Sequence, residues 1–505
     1  MKTHARVVVI GGGVVGCSVL YHLAKLGWTD VLLLERKELT AGSSWHAAGG
    51  FHAINGDPNI ARLQAYTISL YKEIQQASGQ DVGLHFTGGL NMAATRDRWE
   101  LLRAEHARHR VLGLKSELVG PEQIRAMCPL VDVSEILGAL YDPNEGHLDP
   151  YGATHAYAKA ARALGAEVQR HTRVTGLRPR RDGGWDVVTD QGTIVAEHVV
   201  NAAGLWARDV GLMAGVELPV VSMEHHYLLT EDLPELKAMS GEIPLVLDLD
   251  GEIYLRQERK GVLLGVYEKA ATPWALDGAP WDYGQDQLLP PNLERLTESL
   301  DKGFRRFPTL QNAGIRRIVN GPFTFSPDGN PLVGPVPGLR NYWAACAVMA
   351  GFAQGGGVGL ALAQWMIQGE PEGDILAMDV ARYGSYATRP YAVARVREFY
   401  ARRFQIAYPN EYWPAGRPNR TTTVHEALRE AGAVFGVSYG LEMPLYFAGA
   451  GETAIEKPSL LRSNAFPRVR EECLAAAGLD LAGLSATIEQ WWTTQNSDLA
   501  RRVGG

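Results

Sequence analysis

The sequence has few cysteines, no long apolar run and no basic stripe, and each of these absences excludes a class of protein. Its 505 residues include four cysteines, at 17, 128, 346 and 473, and no CxxC pair. This spacing predicts a reducing compartment and neither a zinc nor an iron–sulfur site, so we expect no metal. No stretch approaches the roughly 20 apolar residues that a membrane-spanning helix needs, so we expect no membrane span.

The charge balance and the start of the sequence argue against two further kinds of protein, a nucleic-acid binder and a secreted protein. Lysine and arginine total 49 against 56 aspartate and glutamate residues, a formal net charge of −7, so we expect no nucleic-acid partner. The first apolar run begins within a few residues of Met1, which predicts no signal peptide and a cytoplasmic protein. With 46% hydrophobic residues, the chain has the composition of a globular protein with a large core.

The beginning of the chain predicts a dinucleotide-binding βαβ unit. An apolar strand pattern precedes a turn that contains Gly11, Gly13 and Gly16; a helical pattern follows, and a second apolar run ends in Glu35. Gly11 permits the tight turn, Gly13 lets the backbone approach a pyrophosphate, and Gly16 lets the helix pack close to the strand. The helix N-terminus offers free N–H groups to phosphates, and Glu35 can accept hydrogen bonds from an adenosine ribose.

The loop after this unit indicates which dinucleotide is bound. Residues 40–50 are small, polar and rich in glycine, and they include Ser43, Ser44, Trp45 and His46. The segment resembles the one that carries a flavin-linked histidine in the dimethylglycine and sarcosine dehydrogenase (oxidase) family of FAD-dependent amine oxidoreductases. This resemblance implies FAD as the cofactor, contacts from both serines, and a covalent bond between His46 and the flavin. A lone histidine in a loop is otherwise an ordinary hydrogen-bonded residue.

The resemblance also implies an α/β fold in which two parts interleave along the chain. A Rossmann-like FAD-binding domain would comprise about 1–85, 150–217 and 315–370. A substrate domain with an antiparallel sheet, as in D-amino-acid-oxidase-like proteins, would comprise about 86–149 and 218–314. Local patterns predict helices and a hairpin within these segments: helices over 57–80, 99–112, 151–164 and 290–306, and hairpin strands over 253–257 and 262–267.

The last part of the sequence resembles two further regions of the family. Residues 371–420, rich in Arg, Tyr and Pro, correspond to a central connector, and 421–505 resemble the opening of a folate-binding, aminomethyltransferase-like domain. The resemblance then fades into a helix-like tail over 480–505. We therefore expect a short, truncated α+β region that does not bind tetrahydrofolate, and formaldehyde that leaves free unless a separate folate-domain subunit captures it.

Later segments carry further candidate contacts to FAD. They are Val174, Gly204, Trp206, Gly351, Phe352, Gln354 and Gly355. The Asn-Ala-Ala-Gly-x-Trp segment at 201–206 resembles one that returns beneath the adenosine, although a buried strand of a Rossmann-like sheet fits equally. The glycine-rich turn at 351–359 opens an apolar helix and suits close approach by the flavin and ribityl chain, with tight helix packing as the alternative.

His225 and Tyr254 are the predicted catalytic residues. By the same resemblance, a Met-Glu-His-x-Tyr segment places His225 beside the substrate, and Tyr254 on the next hairpin directs a phenol toward it. An imidazole suits proton transfer because its pKa lies near the working pH. A histidine pair on a sheet surface and a packed tyrosine are the alternatives. Arg256 and Arg316 are candidate partners for a substrate carboxylate, with ordinary ion pairs as the alternative role.

The family resemblance implies FAD-dependent oxidative N-demethylation of a small N-methyl amino acid, of dimethylglycine or sarcosine type. Hydride transfer to the flavin would give an imine that hydrolyses to formaldehyde. Two alternatives stay open: an FAD-binding subunit that pairs with a separate folate-domain protein, and an oxidase of another small imino acid. The electron acceptor also stays open between an electron-transfer flavoprotein and oxygen.

Overall fold

The computed structural model describes residues 2–409, 411–449, 451–452, 458–461, 463, 465–478 and 490. The chain divides into two compact units, Met1–Gln405 and Ile406–Gly505. The helix-like tail expected over 480–505 lies outside the described residues, apart from Gln490.

The strands are short and lie mostly in the first unit. In chain order they are β1 (His4–Ile10), β2 (Val31–Leu34), β3 (Gly50–Phe51), β4 (Gly89–Ala93), β5 (Glu117–Val119), β6 (Gly138–Asp142), β7 (Gly146–His147), β8 (Glu167–Gln169), β9 (Val174–Pro179), β10 (Trp185–Thr189), β11 (Gly192–Asn201), β12 (Val221–Met223), β13 (His226–Thr230), β14 (Leu245–Asp248), β15 (Ile253–Glu258), β16 (Gly261–Val266), β17 (Pro273–Trp274), β18 (Ile315–Asn320), β19 (Phe323–Phe325), β20 (Leu332–Pro335), β21 (Tyr342–Cys346), β22 (Ala433–Ser438) and β23 (Leu441–Phe447).

The helices alternate with these strands. They are α1 (Val14–Lys25), α2 (Pro58–Ser78), α3 (Arg96–Leu112), α4 (Pro121–Met127), α5 (Pro150–Ala163), α6 (Ala207–Met213), α7 (Pro234–Ala238), α8 (Thr297–Arg306), α9 (Gly351–Gln368), α10 (Arg389–Ala401), α11 (His425–Glu430) and α12 (Phe466–Ala476). In the described part of the chain, none of them is both long and apolar enough to cross a membrane.

A parallel sheet forms the first layer of the first unit. Its strands lie in the order β20-β21-β11-β1-β2-β8, and all neighbours pair in parallel except β20 and β21. Both faces are covered, which is why β1 and β2 are continuous apolar runs. Val7 and Val9 pack with the helices α1, α2, α5 and α9, and Val8 and Ile10 pack with β9, β10 and α6.

A second, mainly antiparallel sheet stands beside this layer in the same unit. Its order is β18-β13-β16-β15-β14-β4-β6-β5, and β14 and β4 are its parallel pair. The strands come from 89–142 and 226–320, so the chain leaves the parallel sheet twice to build it. The predicted hairpin is β15 and β16, and it places Tyr254 opposite Gly265.

Helix ends follow local chemistry, and one predicted helix starts late for that reason. The helix predicted over 57–80 is α2: the carboxylate of Asp57 accepts from the N–H groups of Asn59 and Ile60, and Gly79 ends the helix with a φ of +63°. The helix predicted over 290–306 is only α8, which begins at Thr297 after a short 3-10 turn. Residues 290 and 291 are both proline, which disfavours helical conformation before it and removes N–H donors.

The second unit contains a two-stranded hairpin. Its turn is Tyr439–Gly440, both with positive φ, which matches the twist of the strands β22 and β23. Glu442 in β23 is buried, and its carboxylate accepts a hydrogen bond of 2.6 Å from Arg417, so the charge is paired.

Candidate active site

The glycine turn between β1 and α1 leaves no space for side chains. Gly11 has a φ of +115°, and a Cβ at this position would collide with the carbonyl oxygen of Ala202 at the end of β11. A Cβ at Gly16 would collide with the carbonyl oxygen of Gly11. Gly13 is the N-cap of α1 and supplies no capping side chain, so apart from the N–H of Val14, which donates to Ser44, the positive end of the helix can receive an anion.

Glu35 closes this turn from the end of β2. One carboxylate oxygen accepts from the N–H of Gly12 at 2.8 Å, and the other accepts from the N–H of Lys37 at 2.8 Å. Burial raises the pKa of Glu35, and these two donors oppose that effect. Each carboxylate oxygen retains a further lone pair, so the side chain can still accept hydrogen bonds from a ribose.

The loop with His46 lies between the open end of α1 and the second sheet. Ser44 Oγ accepts from the N–H of Val14 at 3.1 Å, and Ser43 Oγ donates to the carbonyl of Pro322 at 2.8 Å. Tyr227 on β13 donates its phenol proton to the carbonyl of His46 at 3.1 Å. The loop is therefore fixed by α1, by β13 and by the segment after β18.

Several polar atoms around this loop are buried without a partner among the described residues. They are Trp45 Nε1, His46 Nε2 and Gln354 Oε1. Such atoms are rare in folded proteins because desolvation without a hydrogen bond is unfavourable. Together with the open N-terminus of α1, they fit a bound flavin dinucleotide that would supply the missing contacts.

His46 and the predicted catalytic His225 share one neighbour, Gly321. A Cβ at Gly321 would collide with the imidazole of His46, and the N–H of Gly321 donates to the carbonyl of His225 at 2.9 Å. Burial lowers the pKa of His46 to about 4 and that of His225 to about 3. Both rings are therefore neutral at physiological pH and keep a free lone pair.

A hydrogen-bonded chain fixes the tautomer of His225. Its Nδ1 lies 2.9 Å from the hydroxyl of Tyr400, which donates to Glu268 at 2.8 Å, and its Nε2 lies 2.9 Å from the hydroxyl of Tyr254. Because Tyr400 donates to the carboxylate, its oxygen accepts from His225, which assigns the ring proton to Nδ1. Nε2 then accepts from Tyr254 and is the basic atom of the chain.

The hydrogen-bonded chain from Tyr254 ends at Glu268, which forms an ion pair with Arg295. Burial raises the pKa of Glu268, and Arg295, whose Nε lies 3.1 Å from the other carboxylate oxygen, opposes this by stabilising the charged form. Arg295 also contacts Glu224 at 3.1 Å. The hydrogen-bonded chain that begins at Tyr254 therefore ends at an arginine that two carboxylates share.

Aromatic side chains surround His225 and exclude water. Tyr254 lies over Gly265, where a Cβ would collide with its ring, and burial raises the pKa of its phenol well above the usual range. The ring of Tyr267 lies 4.8 Å from that of His225, and that of Phe323 lies 5.1 Å away. Hydrogen bonds in such a dry site are stronger than in water.

The two arginines proposed from sequence are already held by other groups. Arg256 is buried, and its guanidinium donates to the carbonyls of Ala48 and Gln257 and pairs with Glu258 at 2.8 Å. It therefore supports the end of the His46 loop. Arg316 pairs with Asp232 at 2.8 Å near the surface.

Trp206 lies beside the Glu35 region rather than beside His225. The guanidinium carbon of Arg36 is 3.8 Å from the centre of the Trp206 ring, and a Cβ at Gly42 would lie 3.6 Å from this ring. Gly204 has a φ of +53° in the turn before Trp206. Val174 begins β9 and is buried, and it packs against the face of the parallel sheet that carries Val8.

The glycine-rich start of α9 packs on the start of α1. A Cβ at Gly351 would lie 3.1 Å from a methyl of Val14, and one at Gly355 would lie 3.7 Å from the other methyl. The carbonyl of Phe352 accepts from the hydroxyl of Tyr71 at 2.6 Å. Tight helix packing is thus present here, and contact of these residues and Gln354 with the cofactor stays a prediction.

Three residues that sequence reasoning did not select lie in or beside this site. Tyr400 and Glu268 extend the chain from His225, and Arg403 follows α10 with a buried Nε that has no partner among the described residues. Arg403 lies close enough to Tyr267 to oppose the burial that raises the pKa of this tyrosine. No local motif marks them, although the Arg- and Tyr-rich composition of 390–417 was the available signal.

The glycine turn, the buried imidazoles and the unpaired polar atoms together define a flavin-dependent oxidoreductase. Residues 6–365 match the family described as FAD dependent oxidoreductase, and 368–422 match the FAD dependent oxidoreductase central domain. The chain therefore belongs to the FAD dependent oxidoreductase family. This confirms the predicted enzyme class and FAD as its cofactor.

Individual relatives are consistent with the resemblance found in the sequence. Mitochondrial dimethylglycine dehydrogenase of Rattus norvegicus is 40% identical over 476 residues, which cover 93% of this chain and 55% of the relative. A 4-methylaminobutanoate oxidase (formaldehyde-forming) of Paenarthrobacter nicotinovorans is 35% identical and covers 94% of this chain and 57% of the relative. The chain thus spans about half the length of the curated relatives it matches. The predicted resemblance to the dimethylglycine dehydrogenase family is confirmed.

A solved structure supports the fold. L-proline dehydrogenase from P. horikoshii is similar with a TM-score of 0.67 and 26% identity, over 76% of this chain and 98% of that one. The predicted combination of a Rossmann-like FAD layer and an antiparallel sheet is confirmed.

Proposed function

We propose that this chain catalyses oxidative N-demethylation of a small N-methyl amino acid of the dimethylglycine or sarcosine type. The product imine is hydrolysed to formaldehyde and the demethylated amine. The observation that carries the proposal is the buried, hydrogen-bonded pair of His225 and Tyr254, joined to the His46 loop through Gly321. The names of two relatives, dimethylglycine dehydrogenase and a formaldehyde-forming 4-methylaminobutanoate oxidase, support the substrate class.

The chain's own residues define where FAD would be held. The glycine turn and the N-terminus of α1 would receive the pyrophosphate, Glu35 the ribose, and the His46 loop with the start of α9 the flavin end. We assign the covalent bond to Nε2 of His46, because this neutral nitrogen is buried and lacks a partner among the described residues. When bound, FAD supplies the oxidant that accepts a hydride from the N-methyl carbon of the substrate.

The hydrogen-bonded residues Tyr254, His225, Tyr400 and Glu268 would remove the proton from the substrate ammonium. Hydride leaves a carbon next to nitrogen only when the nitrogen lone pair is free. Tyr254 accepts the ammonium proton as its own proton passes to Nε2 of His225. Burial lowers the pKa of His225 to about 3, so this transfer requires the negative charge of Glu268, which reaches Nδ1 through Tyr400, to stabilise the imidazolium that forms.

Arg403 is the cation that we assign to the substrate carboxylate. Its Nε is buried and has no partner in the described part of the chain, while the same guanidinium hydrogen-bonds Tyr267, which packs on His225. A guanidinium binds a carboxylate through two parallel hydrogen bonds, which would orient an amino acid relative to His225. Arg256 and Arg316 have other partners and are less suited to this role.

A substrate panel tests the proposal on the purified flavoprotein with an artificial electron acceptor. We expect dimethylglycine or sarcosine to yield formaldehyde and the demethylated amine in equal amounts. Trimethylglycine is the matched control, because its quaternary nitrogen has no lone pair and it should not react. Oxidation of proline alone, without reaction of any N-methyl amino acid, would contradict the proposal and favour the imino-acid alternative.

The same assay addresses the electron acceptor and the non-catalytic alternative. Turnover in air with stoichiometric hydrogen peroxide assigns oxygen, whereas turnover only with electron-transfer flavoprotein or a dye assigns a protein acceptor. A flavin-loaded chain that reduces no acceptor with any N-methyl amino acid would favour the FAD-binding subunit that pairs with a folate-domain protein.

A further inference from the structure

Three side chains with metal-binding atoms meet outside the proposed active site. They are His85 before β4, His147 in β7 and Glu242 before β14, and one ligand atom from each lies within 4.8 Å of the others. The three residues are far apart in the sequence, so the cluster joins three separate segments of the first unit. No cysteine takes part, so cysteine spacing gave no signal for it.

The cluster is more than a surface ion pair. His85 Nδ1 lies 3.0 Å from a carboxylate oxygen of Glu242, which satisfies His85. His147 Nε2 lies 3.8 Å from the same oxygen, which is beyond hydrogen-bond distance. His147 is only 9% exposed, and its Nε2 is buried without a partner among the described residues. The buried Nε2 of His147 therefore has no hydrogen-bond partner among the described residues, and an atom bound between it and Glu242 would supply one.

The surroundings of His147 include one opposing charge and one open side. The opposing charge is the guanidinium of Arg256, which lies near the ring. The charge of Arg256 is balanced by Glu258 at 2.8 Å. Glu242 and His85 are partly exposed, which leaves room for an ion and for water to enter.

The backbone already holds the two histidines side by side. The N–H of His85 donates to the carbonyl of His147 at 2.9 Å, and the N–H of His147 donates back at 3.0 Å. The rings are stacked with centroids 4.7 Å apart and an angle of 12° between planes. The backbone of the two ligands is therefore positioned before the ion arrives, and rotation of one ring out of the stack would let both nitrogens face one ion.

We propose that His85, His147 and Glu242 bind one divalent transition-metal ion of the Zn²⁺ class, with water as the remaining ligand. Two imidazoles and one carboxylate are a ligand set that Zn²⁺ accepts. The ion would hold β7 to the segments before β4 and β14. Since β7 pairs with β3, which follows the His46 loop, the ion would stabilise the region next to that loop.

Calorimetric titration of Zn²⁺ into the untagged, chelator-treated flavoprotein tests this site. We expect one saturable equivalent and a higher thermal midpoint with Zn²⁺. Co²⁺ added to the metal-free protein should give a visible difference spectrum that Zn²⁺ then abolishes by displacing it. His147→Ala and Glu242→Gln should each weaken binding by more than about tenfold, since a lost ligand costs at least as much as a lost supporting contact. His85→Ala, at the most exposed ligand, repeats the test with the least risk to folding.

The matched control is His171→Ala. His171 is also exposed and lies 2.7 Å from a glutamate, Glu38, but among the described residues no third metal-binding side chain joins this pair. This variant should keep full-affinity binding. Binding that survives in His85→Ala, His147→Ala and Glu242→Gln, or a folded wild type with no saturable site, would overturn the proposal. Circular dichroism of each variant excludes unfolding as the cause.

Discussion

The proposed cofactor side and the proposed substrate side of the first unit are built on different principles. Around Gly11 and Gly16 the backbone itself forms the site, and atoms beyond Cα would collide with carbonyl oxygens. Around His225 the side chains form the site. Tyr254 on β15, Glu268 after β16 and Tyr400 on α10 make a buried hydrogen-bonded chain with His225. The first region is therefore sensitive to added volume, and the second to lost donors and acceptors.

The largest effect should come from adding volume on the cofactor side. In Gly16→Val the new side chain meets the carbonyl of Gly11, and relief requires moving α1 away from β1. Overpacking of this kind costs about 1–3 kcal/mol or more, and we expect loss of bound flavin. Flavin content and thermal midpoint measure it. Gly373→Ala is the control, because nothing lies within 4 Å of a Cβ there. Equal flavin loss in the two variants would show that the close contact at Gly16 is not the cause.

The next effect should appear on the substrate side without loss of flavin. His225→Asn keeps a polar side chain but removes the basic nitrogen that accepts from Tyr254. General-base catalysis contributes about 10²–10⁴-fold, so we expect kcat to fall by that factor while flavin content is unchanged. Steady-state kinetics at saturating substrate measure the loss. A variant that keeps more than half of the wild-type kcat would show that His225 is only a packing residue.

Arg403→Met should separate binding from chemistry within the substrate side. Hydrogen bonds to charged groups contribute about 1.5–3 kcal/mol, so we expect KM to rise by about 10- to 100-fold with a small change in kcat. Arg397→Met, on the exposed face of α10, is the matched control. Equal kinetic parameters in the two variants would assign the carboxylate to another residue.

Tyr400→Phe should have the smallest effect of the four. It removes the hydroxyl between His225 Nδ1 and Glu268 but leaves the ring packing and the basic Nε2 in place. We expect kcat to fall by about tenfold, the scale of one buried hydrogen bond. Tyr391→Phe, on the same helix, serves as the control for loss of a phenol. A larger fall in kcat than in His225→Asn would show that Tyr400 contributes more to catalysis than His225 does.

The contrast between the two sides also explains which parts of the fold and of the site the sequence could predict. The limits of α2 depend on residues within one turn of each other, and the turn at Gly11 and the acid at Glu35 belong to one contiguous βαβ unit, so patterns in short stretches predicted their structure. The family and the fold class followed from contiguous motifs. The roles assigned to His46, His225 and Tyr254 remain predictions, although the structure brings His46 and His225 together through Gly321.

Residues that act through long-range contacts gave no such signal. Tyr400 is 175 residues from its partner His225, and a tyrosine in a helix looks like any packing residue. Arg403 has no motif, whereas Arg256 and Arg316 were selected because a guanidinium forms bidentate pairs with a carboxylate, and both have other partners. Only the folded chain shows that the Nε of Arg403 is buried without a partner among the described residues.

The central claim is that His46 joins the cofactor side to the substrate side through a covalent bond to FAD. Acid denaturation of the purified protein, followed by flavin absorbance of pellet and supernatant, tests it most directly. We expect the flavin in the pellet for the wild type and in the supernatant for His46→Ala, with His52→Ala as the control that keeps it in the pellet. Flavin in the supernatant for the wild type would contradict the claim.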